Sequence, residues 1–196
     1  MEKLLEYVSF DLEFNHYKGE YHLIQVSAVK FVNHVEVAYF DSYVFTDVPL
    51  QSFINGLTGI TAEKLKLAPK VESVLSDFKE FVGDTALIGY NAMKSDLPIL
   101  AAHGLDLKEQ YKVDLYDEAY DRRSKDLNGI VNLKLTTVSD YLGIKGRGHN
   151  SLEDSRMTAL IYETFLEFDE NEQMLGRQKV VTNNPFAALG NLLEDK

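Results

Sequence analysis

Leu5-Glu6-Tyr7-Val8-Ser9-Phe10-Asp11-Leu12-Glu13-Phe14 is the stretch on which the fold turns. Residues two apart on a strand share a face, so Val8, Phe10, Leu12 and Phe14 form one apolar side. Ser9, Asp11 and Glu13 form the other, which places two acids side by side on rigid backbone, pointing away from core packing. By spacing alone the pair reads equally as a solvated strand face. The apolar flanks argue for a central strand and make that reading harder to hold.

Working outward, residues 22–32 and 35–45 are two further β-like runs, rich in Val, Ile, Phe and Tyr, with Asn33-His34 as a tight turn between them. Connections this short predict an antiparallel meander over 5–45. Helices are expected over 61–67 and 71–82, with Pro69 separating them and Gly83 stopping the second. A short apolar strand follows over 85–90, then a helix over 96–103 closed by Gly104. Residues 111–115 read as a strand leading into a helix over 116–123. Residues 133–142 and 152–168 read as helices. Strands followed by alternating helices and strands imply an α/β fold, a sheet with helices on both faces. The acidic stretch Asp169-Glu170-Asn171-Glu172 suggests one domain over 1–168 and a polar appendage over 169–196.

The chain has 196 residues, enough for one domain with a full core, and 45% hydrophobic residues, ordinary for a globular protein. It contains no cysteine, which excludes disulfides, zinc–thiolate sites and cysteine nucleophiles. Met1-Glu2-Lys3-Leu4-Leu5-Glu6 lacks the basic and apolar segments of a secretory signal, and no apolar run approaches the ~18 residues of a membrane span. A cytoplasmic protein without membrane contact is the expectation. The formal charge of −11 argues against a broad nucleic-acid footprint and in favour of short contacts at a strand end.

Three more residues carry candidate chemistry. Asp154, Met157, Ile161, Phe165 and Phe168 are spaced 3, 4, 4 and 3 apart, one helical stripe with a single acid in it. Asp154 therefore faces inward, where an unpaired carboxylate is costly and needs a metal ion or a basic partner. Asp96 follows a strand and opens a helix, a position that suits either an N-cap or a ligand at a strand end. His149 lies in Lys145-Gly146-Arg147-Gly148-His149, a glycine-broken basic loop; it reads either as an exposed loop histidine or as an imidazole swung over a phosphate by a mobile loop. Clusters of oxygen ligands suit Mg²⁺ or Mn²⁺, and paired ions of that kind drive phosphodiester hydrolysis.

The ordered set of blocks resembles the DEDD exonuclease superfamily, in its histidine-containing, DnaQ-like branch. Phe10-Asp11-Leu12-Glu13 matches the first motif, Gly89-Tyr90-Asn91 through Asp96 the second, and His149 through Asp154-Ser155-Arg156-Met157-Thr158-Ala159 the third. Asn55-Gly56-Leu57-Thr58-Gly59-Ile60-Thr61 and Leu133–Leu142 are supporting matches, and the resemblance spans about 5–168. It implies an RNase H-like fold: a mixed sheet, antiparallel meander then parallel strands, helices on both faces. It further implies that Asp11, Glu13, Asp96 and Asp154 hold two Mg²⁺ or Mn²⁺ ions and that His149 is the general base. The implied reaction is stepwise hydrolysis of DNA or RNA from the 3′ end, releasing nucleoside 5′-monophosphates. Leu57 would pack on the terminal base, with a core leucine as the alternative, and Asn91 would contact substrate or end its strand.

Two departures from the family pattern stand out. Phe14-Asn15 follows the first motif where threonine is usual, and Ser95 replaces the usual aromatic before Asp96. Both put the shape of the nucleotide pocket in question. Rival readings are a catalytically silent nucleic-acid-binding module and a polymerase-associated proofreading subunit. The apolar island Pro185-Phe186-Ala187-Ala188-Leu189-Gly190-Asn191-Leu192-Leu193 either docks into a polymerase or other replication partner or folds back on its own domain.

Overall fold

The computed structural model describes residues 1–146 and 148–182, without the side chains of 176–182. Arg147 and the apolar island at 185–193 therefore lie outside the described residues. Five strands make one mixed sheet in the order β3-β2-β1-β4-β5. β1 (Glu6–Tyr17), β2 (Glu20–Val32) and β3 (Val35–Tyr43) form the expected antiparallel meander. Both of its turns have two residues at positive φ, Lys18-Gly19 at 51° and 89° and Asn33-His34 at 50° and 68°. That is the backbone of a type I′ hairpin, whose twist matches the flanking strands. The first turn lets β1 run on to Tyr17, beyond the stretch 5–14 that carries the two acids.

β4 (Ala86–Gly89) pairs parallel to β1, and β5 (Lys112–Asp114) pairs parallel to β4. The helices are α1 (Ser52–Thr58), α2 (Ala62–Lys66), α3 (Val71–Val82), α4 (Asp96–Ala102), α5 (Leu115–Asp121), α6 (Leu135–Tyr141) and α7 (Ser151–Thr182). The sequence did not announce α1. Its N-cap Gln51 makes no capping bond, Gly56 lies inside it, and only Ile54 is buried, so no helical stripe is visible.

The faces of β1 are both covered. Val8, Phe10 and Leu12 pack with Val74, Phe78 and Val82 of α3 in one core. Tyr7, on the acid-bearing face, packs with Ile161, Tyr162 and Phe165 of α7 in a second. Fully burying a side chain of this size contributes about 1.5–3 kcal/mol. The expectation that Asp11 and Glu13 point away from core packing is therefore corrected, because α7 lies across their face. Both acids are half-buried beside this second core.

The stripe on α7 is as expected, with Asp154, Met157, Ile161 and Phe165 all buried. The helix does not stop at 168, however, since neither Pro nor Gly interrupts residues 169–175. Asp169 accepts hydrogen bonds from the Met1 ammonium at 2.9 Å and from Arg122 at 2.7 and 2.8 Å, and Glu170 accepts one from Lys3 at 2.8 Å. Among the described residues, no helix is long and apolar enough to cross a membrane.

Candidate active site

β1 outruns its parallel neighbour, and the site lies where that happens. The β1–β4 ladder ends at Ser9 opposite Ile88, so the next free N–H on that edge, from Leu12, donates instead to Asp96 Oδ1 at 3.2 Å. This corrects the capping alternative for Asp96. Ser95 holds the N-cap position of α4 without a capping bond, and its hydroxyl contacts Asp96 Oδ2 and Asn91 O. The unusual Ser95 thus fixes the carboxylate beside it.

Asp154 arrives from the opposite side, on the first turns of α7. Small residues let that helix approach the sheet closely: Ser9 Oγ donates to Ser155 O at 2.8 Å, and Ser155 Oγ lies 3.2 Å from Ser27 O. Asn150 Oδ1 accepts the Glu153 N–H at 3.1 Å, an N-cap that sets where the helix starts. The result is that carboxylate oxygens of Asp11, Glu13 and Asp154 all lie within 4.8 Å of one another. Asp96, buried, stands close enough for its charge to act on Asp11.

Three carboxylates at this spacing can be relieved of mutual repulsion by a cation or by retained protons. Asp154 Oδ2 accepts the His149 N–H at 3.0 Å, but Oδ1 is buried without any hydrogen-bond partner. None of the ion pairs among the described residues reaches the four acids. Burial holds every one of them above its ordinary range. On Asp11, already held well above that range, the charges of Asp96, Asp154 and Glu13 act in the same direction. Glu13 is pushed up to about 7 by burial and then by Asp154 and Asp96. Burial likewise lifts Asp96 and Asp154 to about 6, against hydrogen bonds that pull each of them down. An all-oxygen donor set with an orphaned buried oxygen fits a hard divalent ion such as Mg²⁺ or Mn²⁺.

A stability prediction follows from these directions. The folded protein holds protons on these acids up to pH 6–7, whereas the unfolded chain releases them near 4. The folded state then binds more protons in that window, so apo stability falls as pH rises from about 4 to about 7. The melting temperature in EDTA should be several degrees higher at pH 5 than at pH 8. Mn²⁺ at about a hundredfold excess over its Kd should restore roughly 3 kcal/mol at pH 8. A melting temperature that climbs from pH 5 to pH 8 in EDTA would contradict this.

His149 is exposed at the rim of an open cleft of ≈ 660 Å³ that also reaches Asp154, Asn91, Tyr90 and Tyr116. The two glycines before it sit close to neighbouring side chains. A Cβ on Gly146 would meet the Met157 sulfur at 2.3 Å, and one on Gly148 would meet Thr136 Cγ2 at 2.5 Å. A larger residue at either glycine would therefore have to displace the Met157 or the Thr136 side chain.

Asn91 has a left-handed backbone (φ 58°), two residues past the end of β4, and lines the same cleft. Asp114 holds it there: Oδ1 accepts the Asn91 N–H at 2.7 Å and Oδ2 the Met93 N–H at 3.0 Å. Asp114 also N-caps α5. The sequence reading passed over it as the tail of a strand, although Asp just before a helix is itself a capping signal.

Leu57 is not the core leucine of the alternative reading. It is 44% exposed on α1, four residues after Phe53, which is 56% exposed. α1 is fastened to β1 by Asn15, the other unusual residue. Asn15 is fully buried, donates to Pro49 O at 3.1 Å and accepts the Gln51 N–H at 3.0 Å, two residues past Glu13. Asn15→Ala would leave both backbone partners unmet, at about 1–3 kcal/mol. A melting temperature lowered by several degrees is the expected readout, and an unchanged one would deny the clamp.

The family model of the exonucleases (RNase_T) matches residues 8–162. A PolC-type DNA polymerase III from Caldanaerobacter subterraneus subsp. tengcongensis is 31% identical over 181 residues, covering 89% of this chain and 12% of that polymerase. This chain therefore corresponds to a small part of that relative. Among solved structures, E. coli exonuclease I in complex with a dA16 oligonucleotide superposes with a TM-score of 0.68 at 17% identity, over 81% of this chain and 40% of that one. The 3′-exonuclease of a structure concerned with 3′-end recognition of a histone mRNA stem-loop gives 0.66 at 19% identity, over 85% and 84%. At these identities the likeness bears on the fold, which is RNase H-like. The chain belongs to the exonuclease family, and with it to the DEDD superfamily of 3′→5′ exonucleases.

Proposed function

We propose that this chain is a metal-dependent 3′→5′ exonuclease of the histidine branch, cutting DNA or RNA stepwise to nucleoside 5′-monophosphates in the cytoplasm. One observation carries the reading: Asp11, Glu13 and Asp154 converge within 4.8 Å while Asp154 Oδ1 stays buried and unbonded. Asp11, Glu13, Asp96 and Asp154 would hold two Mg²⁺ or Mn²⁺ ions. Bound there, such ions supply a water of lowered pKa and neutralise charge on the leaving 3′ oxygen. His149 takes the proton of the attacking water, and the bond from its own N–H to Asp154 ties the imidazole's backbone to the acid cluster. Within this reading residues 1–168 are the catalytic domain, and 169–196 an appendage that begins at the docked acids Asp169 and Glu170.

Leu57 is proposed to pack on the terminal base and Asn91 to bond the substrate. The exposure of Leu57 and the place of Asn91 in the cleft wall support these roles. Leu57→Ala should raise KM about five- to tenfold, the value of losing roughly 1 kcal/mol of stacking, with melting temperature unchanged. Equal KM values would remove Leu57 from the pocket.

The superposition on a DNA-bound exonuclease and on an RNA 3′-exonuclease leaves both polymers as candidate substrates. Side-by-side digestion of matched DNA and RNA strands, single and paired, tests the proposal. Mononucleotide ladders from the 3′ end support it, and internal cuts alone would overturn it. The 31% identity with a PolC-type polymerase favours a second reading, a proofreading subunit that works beside a polymerase. Co-migration with a replicative polymerase on gel filtration is the test of that reading.

A further inference from the structure

Beyond the acid cluster, two clefts lie side by side. The first, with His149 and Asp154 at one end, is walled by Tyr116 of α5 and by Asn132 and Leu133. The second, ≈ 510 Å³, is walled by Tyr120 and Arg123 beside the same helix and by Asn128, Gly129 and Ile130. Each has one wall at or beside α5 and the other on the segment 128–136, so the two clefts follow one another along that helix and can be read as one groove. Tyr116 and Tyr120 are four residues apart, one helical turn and about 6 Å along the axis, and so share a face. Tyr141 braces the far wall, its hydroxyl donating to Asn128 O at 2.9 Å.

The groove has the chemistry of a single-strand track. Tyr90 and Tyr116 meet edge to face at 6.1 Å, which fixes both rings at the entrance. Tyr120 is 61% exposed, and no core contact accounts for so large an open aromatic. Cations stand along it: Lys134 lines the first cleft and Arg123, exposed, the second, while Lys94 lies 5.8 Å above the Tyr116 ring. Asp117, an exposed acid of α5, is paired with Lys94 at 3.7 Å, and Asp121, also exposed, follows Tyr120 directly. In a chain of net charge −11, this conjunction of open aromatic and cationic side chains leading directly out of the acid cluster is a match for stacked bases joined by phosphates.

We propose that the strand upstream of the scissile nucleotide lies along this groove, its bases stacking on Tyr116 and Tyr120 and its phosphates meeting Lys134 and Arg123. The inference rests on the exonuclease reading and extends it from the 3′-terminal nucleotide to those behind it. The ligand is single-stranded nucleic acid, because only unpaired bases are free to stack on the two tyrosine rings.

The test compares a dinucleotide with a dodecamer (dT and rU), for the wild type and for Tyr120→Ala/Arg123→Ala. Two quantities are read: the ratio of kcat/KM for dodecamer over dinucleotide, and anisotropy of the 5′-labelled dodecamer in EDTA. The wild type should favour the dodecamer, and the double variant should lose about tenfold or more of that advantage and of the binding. A length advantage or an affinity left intact in the variant would overturn the groove, as would a wild type indifferent to length. A wild type that binds the dodecamer through these residues yet releases no nucleotide would support the groove and sink the exonuclease reading instead.

Discussion

Asp154→Asn is expected to lower the rate of nucleotide release by about 10³-fold or more and, in the same protein, to raise the melting temperature of the apo form. Both effects have one cause. Asp154 is 8% exposed, its Oδ1 has no partner, and burial lifts its pKa to about 6. Keeping it ionised at neutral pH costs on the order of 2–3 kcal/mol in the absence of a cation. A carboxamide can still accept the His149 N–H, removes the charge, and supplies donors toward Asp11 and Glu13. The apo protein gains several degrees, and the cation site loses a ligand. A large fall in apo melting temperature would show that the acid is structural, and activity within tenfold of wild type would remove it from the site.

His149→Asn is expected to cut kcat by ~10²–10⁴-fold, the span for losing a general base. Asparagine is the informative replacement because His149 has a left-handed backbone, φ 65°, which Asn tolerates better than Ala. The backbone N–H that bonds Asp154 is retained, so only the imidazole is lost. Stabilisation of the apo protein by Mn²⁺ should persist in this variant, which separates a base from a residue that assembles the metal site. A kcat within a few-fold of wild type would exclude His149 from proton transfer.

Strand alternation in 8–14 correctly separated Asp11 and Glu13 from the apolar face, and helical spacing correctly turned Asp154 inward. Those are short-range periodicities, and they survive into three dimensions because each element keeps its own geometry. What lay beyond the sequence was long-range. Nothing local says that β1 outruns β4, so nothing local says that Leu12 would offer its N–H to Asp96. Nor does the sequence reveal that Gly146 and Gly148 lie against Met157 and Thr136. α1 escaped notice because it packs through one buried residue and takes its place from Asn15, whose partners lie 34 and 36 residues away. Asp114 was hidden for the same reason: two of the N–H groups it accepts belong to the loop after the preceding strand.

Asp11, Glu13 and Asp154, with Asp96 beside them, are proposed to form a metal-dependent exonuclease site. The most direct test follows a 3′-labelled single strand, as DNA and as RNA, incubated with the protein in Mg²⁺ or Mn²⁺ and in EDTA, with Asp154→Asn alongside. The account predicts labelled nucleoside 5′-monophosphate from at least one polymer, in the presence of metal only and with the wild type only. No metal-dependent release from either polymer would contradict it.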